Sequence, residues 1–143
     1  MITIKTSDNT KDWHFIREEV FMKEQGFQNE FDDIDQYAIH ITLYVDGEPA
    51  GCARCFPQAD QGDCWTLGRI AILPQYRRQK LGGVLLTELE NEVRKNHGTR
   101  CILDAQCRAK DFYEYYGYEV CGEIHMDEHV EHIQMQKKLD ISK

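Results

Sequence analysis

The stretch Gly68–Leu86, GRIAILPQYRRQKLGGVLL, decides how this chain is read. An apolar run ends at Pro74, two arginines and a lysine follow, and paired glycines stand at the mouth of an amphipathic segment. Leu81, Val84, Leu85, Leu89 and Val93 recur at helical spacing, with Glu88, Glu90, Glu92, Arg94 and Lys95 assigned to the exposed side. A helix therefore begins near Leu81, and Gly98 is expected to stop it. A strand that turns into a helix leaves the first helical N–H groups without partners and sets the positive end of the helix dipole behind them. Gly82 and Gly83 allow close backbone approach, and Arg77, Arg78 and Lys80 add positive charge. The stretch reads as an anion cradle; a helix start with solvated basic residues is the plainer alternative.

The flanks extend the pattern. Met1–Lys5 alternates as a short strand. Trp13, Ile16, Val20 and Phe21 mark one helix stripe, which Asp8, Asn9 or Thr10 could cap. A polar segment, QGFQNEFDDIDQY, reads as a loop with a short helix. AIHITLYV and EPAGCARCFP are strands joined at Asp46-Gly47, a hairpin turn signal. DCWTLGRIAIL is a longer strand, TRCILDAQ a buried one, AKDFYEYYGY a short helix closed by Gly117, and YEVCGEIH and EHIQMQKKL two final strands. Strands and helices alternating this way describe a mixed α/β sheet with helices on its faces.

At 143 residues the chain is expected to be one domain, 1–143. A net charge of -8 argues against a nucleic-acid surface, which needs a basic face. No apolar run approaches the ~18 residues of a membrane span, and the N-terminus lacks a basic-then-apolar leader, so a cytoplasmic protein with reduced thiols is expected. Cys52 and Cys55 form a CxxC pair in a strand, where period-2 alternation sends them to opposite faces. His125, His129 and His132 flank a hairpin turn with no cysteine cluster at zinc spacing, so no metal is assigned.

Neither a P-loop nor a dinucleotide fingerprint fits the cradle. Arg77-x-x-Lys80-x-Gly82 instead resembles the acetyl-CoA signature of the GNAT superfamily of N-acetyltransferases, and LDAQCRAKDFYEYYGY resembles that superfamily's later strand-then-helix element. REEVFMKEQ, GRIAIL, RRQKLGGVLL, DAQ, FYEYYGY and HIQMQKK together are similar to its ElaA-like subgroup, from Arg17 to Lys138. Lys80 departs from the wider pattern by standing where the first signature glycine usually is; the loop's backbone is expected to survive, with the side chain leaning outward.

The resemblance implies an α/β (α+β) GNAT fold: a mixed central sheet of about seven strands flanked by about four helices, with a V-shaped opening between strands 4 and 5. It implies acetyl-CoA as cosubstrate, with Ile70, Ala71 and Ile72 along the pantetheine arm. Arg77, Arg78, Gln79, Lys80, Leu81, Gly82 and Gly83 would hold the pyrophosphate, and Gln106 and Tyr113 would lie near the thioester. The activity implied is direct acetyl transfer to the primary amine of a small molecule or peptide, a homodimer being common among such proteins. A non-catalytic acyl-CoA sensor is the alternative, because Gly68 occupies the position where many members carry a glutamate base. By family position Tyr113 is the general acid. Glu24, His132 and His40 are the candidate bases, since a lysine-type amine of pKa about 10.4 must first lose a proton. Arg54 and Arg69, in strand runs, are expected to have buried partners. The acidic residues of 17–35 are expected to form a negative rim that attracts an ammonium.

Overall fold

The computed structural model describes residues 1–6 and 10–139; of the three candidate cap residues, Asp8 and Asn9 lie outside the described residues. The chain forms two compact units, Met1–Phe56 with Arg69–Leu89, and Pro57–Gly68 with Glu90–Lys143. Its strands are β1 (Ile2–Thr6), β2 (Ile39–Val45), β3 (Glu48–Gln58), β4 (Gln61–Ile72), β5 (Arg100–Gln106), β6 (Glu119–Val120), β7 (His125–Asp127) and β8 (Val130–Lys138). The helices are α1 (Thr10–Arg17), α2 (Leu81–Lys95) and α3 (Lys110–Tyr115). Hydrogen bonding orders the strands β1-β2-β3-β4-β5-β8-β6, with β7 also on β8. The expected strand YEVCGEIH is thus two short ones.

In the first unit, β1 and β2 pair antiparallel from Ile2↔Val45 to Thr6↔Ile41, and β2 pairs antiparallel with β3. Asp46 (φ 50°) and Gly47 (φ 85°) are both left-handed, as the tightest hairpin turn requires. Helix α1 continues as a π-helix over Glu18–Glu24. Trp13, Ile16, Val20 and Phe21 are buried as their spacing requires. Arg17 belongs to the same stripe, four residues after Trp13, and is 1% exposed.

A buried guanidinium must be neutralised where it lies. Arg17 donates from Nε to Glu30 Oε2 (2.8 Å), from Nη1 to Asp35 Oδ1 (2.7 Å), and from Nη2 to the Glu30 carbonyl (3.0 Å). Its plane lies over the rings of Trp13 and Phe31. Arg54, also buried, donates to Asp32 (2.7 Å) and Asp35 (2.8 Å), and Arg69 pairs with Glu30 (2.9 Å) and Asp32 (3.4 Å). Three cations meet three anions. The expected partners of Arg54 and Arg69 are therefore these acids, and the expected negative rim is corrected: Glu30, Asp32 and Asp35 are neutralised within the fold, while Glu18, Glu19 and Glu24 pair with His14, Lys23 and Arg77.

In the second unit, β4 pairs parallel with β5 over Cys64–Leu67 and Arg100–Leu103, and β5 pairs antiparallel with β8 along its whole length. Helix α2 ends in a Schellman motif, with Gly98 N–H donating to the Val93 carbonyl (2.8 Å) and His97 N–H to that of Arg94 (3.0 Å). His97 (φ 65°), not Gly98, takes the left-handed position. Gly98 is needed for closeness instead, because a Cβ there would meet Val93 Cγ1 at 2.3 Å and Trp65 Cδ1 at 2.7 Å. α3 ends in the same motif, now with Gly117 (φ 95°) left-handed and Tyr118 N–H on the Tyr113 carbonyl. Glu90 and Glu92, assigned to the exposed side of α2, are buried. Glu90 accepts from the Tyr118 hydroxyl (2.8 Å) and from Lys137 (3.1 Å), which is what burying a carboxylate requires.

All six cysteines are free, and Cys52 and Cys55 are both buried. Among the described residues no group of three or more His, Cys, Asp or Glu side chains could hold a metal ion. No described helix is long and apolar enough to cross a membrane.

Two outcomes follow from this packing. Gly98→Ala should lower stability by about 1–3 kcal/mol through overpacking against Val93 and Trp65, measured by urea unfolding. Asp35→Asn should lower it at neutral pH by about 3–5 kcal/mol, since it leaves two buried guanidinium groups short of a partner. Burial pushes the Asp35 carboxyl up, but the hydrogen bonds and charges of Arg17 and Arg54 outweigh it and hold it at about 2. Its contribution, about 2 kcal/mol, is therefore complete above the unfolded value near 4 and is lost as pH falls toward 2. Glu30 runs the other way, its carboxyl raised because burial outweighs Arg69 and Arg17. The wild type should consequently lose stability between pH 4 and 2 more steeply than Asp35→Asn, and equal slopes would contradict this assignment.

Candidate functional site

The cradle segment lies wholly within the first unit. After β4 a 3₁₀ turn covers Pro74–Tyr76, Arg77 is extended (φ −74°, ψ 164°), and Arg78 (φ 66°) and Lys80 (φ 62°) are left-handed. Left-handed backbone costs a side-chain-bearing residue about 1–2 kcal/mol. Lys80 holds a positive φ that glycine adopts without strain, and its side chain is exposed. Helix α2 then starts at Leu81 with no acidic residue in its first turn, leaving the positive end of its dipole unneutralised by its own side chains. Ile70, Ala71 and Ile72 precede the turn on β4, directly after Arg69, itself left-handed (φ 52°) and tied to the Glu30 carbonyl (3.1 Å).

Arg77 is placed differently from the other residues expected to hold the pyrophosphate. Its Nε donates to the Ile72 carbonyl (3.0 Å), and its two terminal nitrogens donate to the two Glu24 oxygens (2.7 and 2.6 Å). The bidentate hydrogen bonds with Glu24 raise the Arg77 pKa further. Two residues expected in separate roles, a phosphate ligand and a base, are thus one ion pair that fastens the end of the π-helix to the end of β4. Glu24 also borders an open cleft of about 470 Å³ lined by Phe15, Glu19, Lys23, Leu73, Pro74 and Gln75.

The remaining site residues belong to the second unit. Gln106 on β5 stands opposite His132 on β8, and His132 opposite His125 on β7. Directly paired residues point to one face, so these three form a row, joined by Asp104 two positions before Gln106. His132 is buried, and its Nδ1 meets the Val130 carbonyl at 3.0 Å. A carbonyl only accepts, so the proton sits on Nδ1 and Nε2 is the basic nitrogen. Gln106 Oε1 accepts from Arg108 Nε (2.9 Å). Tyr113 on α3 packs edge-on against Phe112 and Tyr118, and burial pushes its phenol up to about 12. At neutral pH it is a proton donor, not a phenolate.

His40 is structural: its ring stacks on Trp13 (centroids 3.9 Å), its Nε2 donates to the Asp35 carbonyl, and burial lowers its pKa. Two features escaped sequence reasoning. Arg17 was detectable from its place on an apolar stripe. The Asp104–His125 contact (2.8 Å) was not, because it depends on the register of three strands.

The comparisons agree with this architecture. A family model described as an acetyltransferase (GNAT) domain matches residues 7–139. The chain is 32% identical over 139 residues to the uncharacterized N-acetyltransferase YjcF of Bacillus subtilis, covering 95% of this chain and 97% of that protein. Among solved structures, a candidate N-acetyltransferase from Lactobacillus plantarum superposes with a TM-score of 0.87 at 27% identity, covering 96% of this chain and 98% of its own. Escherichia coli ElaA shares the fold at a TM-score of 0.85 and 21% identity, covering 96% and 99%. An aminoglycoside 6'-N-acetyltransferase complexed with coenzyme A shares it at 0.77 and 16%, covering 95% and 96%. The chain therefore belongs to the GNAT family of acetyltransferases and is an enzyme of that class.

Proposed function

We propose that residues 1–143 act as one acetyl-CoA-dependent N-acetyltransferase domain that transfers the acetyl group directly to a primary amine. The observation that carries this reading is the loop before α2, left-handed at Arg78 and Lys80 without glycine at either position and running into a helix start free of acidic residues. In this reading the loop and the first turn of α2 bind the diphosphate through backbone N–H groups, while Arg78 and Lys80 supply charge. The backbone of Ile70–Ile72, which follows the part of β4 paired with β5, hydrogen-bonds the pantetheine arm. Glu24, with both oxygens engaged by Arg77, anchors the loop, and the base is His132 through Nε2. Tyr113 protonates the departing sulfur. Proximity of the two bound reactants supplies much of the acceleration.

Acetyl-CoA-dependent thiol release with a panel of primary amines tests the reading. With a responding amine, Tyr113→Phe should lower kcat about 100-fold or more while leaving acetyl-CoA affinity unchanged. His132→Gln should lower kcat by a similar factor and remove the acid limb of the pH profile. Glu24→Gln should instead raise the KM for acetyl-CoA and keep that limb. Binding of acetyl-CoA without turnover of any amine would favour the sensor alternative.

A further inference from the structure

The face that carries Gln106 and His132 holds a second imidazole that the proposed chemistry leaves unused. His125 sits opposite His132 in strict register, with ring centroids 6.1 Å apart. Its Nε2 meets Asp104 Oδ2 at 2.8 Å and its Nδ1 meets the Glu123 carbonyl at 3.4 Å. Both partners are acceptors, so the arrangement is satisfied only when both ring nitrogens carry protons, that is, by the imidazolium. The hydrogen bond that His125 donates to Asp104, aided by the Glu123 carbonyl, raises the His125 pKa accordingly. His132, in contrast, is a buried ring with its Nδ1 proton fixed on a carbonyl.

Resting on the reading of His132 as base, we infer that His125, held in place by Asp104, is a positioning residue: a cation beside His132 that favours its neutral, proton-accepting form. A like charge disfavours protonation of a neighbour. Both His125 ring nitrogens face acceptors, which favours its charged form, so a proton arriving on His132 meets a positive neighbour. The other charged groups around the row are Arg108, which is bonded to Gln106, and Asp127 on β7. Arg108 acts in the same sense as His125, whereas Asp104 and Asp127 oppose it. His125 is exposed, so its effect is screened by water and salt, amounting to roughly half a pH unit for rings this far apart.

The test is NMR titration of the two imidazole rings in the protein without substrates, together with the pH profile of acetyl transfer. His125→Gln should raise the His132 midpoint by roughly half a pH unit at low ionic strength, and the shift should shrink at 1 M salt. His125→Lys, which retains a cation, should leave the His132 midpoint near the wild-type value. Asp104→Asn should lower the midpoint of His125 itself. With a responding amine, the acid limb of kcat/KM should follow the His132 midpoint in each variant. An unchanged His132 midpoint in His125→Gln, or the same rise in His125→Lys, would overturn the inference. The ring titration decides it even if no amine is acetylated, an outcome that would count only against the transferase reading.

Discussion

Between Gly68 and Leu81 the chain must turn left-handed three times, at Arg69, Arg78 and Lys80, with no glycine at any of those positions. Each is conformationally unfavourable, and each is held by something outside itself or lies in the segment proposed to bind the diphosphate. Arg69 is held by both the carbonyl and the carboxylate of Glu30. Arg77, entering the loop, is held by Glu24 and the Ile72 carbonyl, and the Leu73 N–H bonds the Ala50 carbonyl. The N-terminal helix and the acidic loop after it thus hold an unfavourable backbone in place on β4. Strain concentrated in such a segment is a recurrent mark of a binding site.

This explains why a chain with net charge -8 buries so many charges. Arg17, Arg54 and Arg69 and the carboxylates of Glu30, Asp32 and Asp35 form a neutral cluster that gains little net stability, because desolvation offsets attraction. What it supplies is specificity. The Arg17 guanidinium, with four hydrogen bonds to fixed acceptors once that from Nη2 to Asp35 Oδ2 (3.1 Å) is included, permits one arrangement of helix, loop and strand, whereas an apolar cluster of similar volume would tolerate several. Glu30, Asp32 and Asp35 are consequently architectural.

Much of this was legible in the chain. Apolar spacing located α1 and α2, Asp46-Gly47 gave the hairpin turn, and Gly117 the end of α3. What could not be read depended on tertiary partners. Gly98 looked like a helix stop but serves close packing, since His97 accepts the left-handed turn when Val93 and Arg94 carbonyls are there to be capped. Glu90 looked exposed by periodicity, yet Tyr118 and Lys137 come from later elements to neutralise it. The single strand expected over YEVCGEIH breaks at Cys121-Gly122, and β8 pairs both pieces. Glu24 and Arg77 are 53 residues apart, and no spacing rule announces their contact.

The central claim is that the left-handed loop grips a nucleotide thioester. Calorimetric titration of acetyl-CoA into the wild type, Lys80→Gly and Lys80→Pro measures this directly, since glycine retains the positive φ and proline, fixed near −65°, forbids it. Saturable uptake of one equivalent by the wild type and Lys80→Gly, with binding lost in folded Lys80→Pro, is the predicted result. No saturable heat from folded wild-type protein, or undiminished binding by Lys80→Pro, would contradict the account.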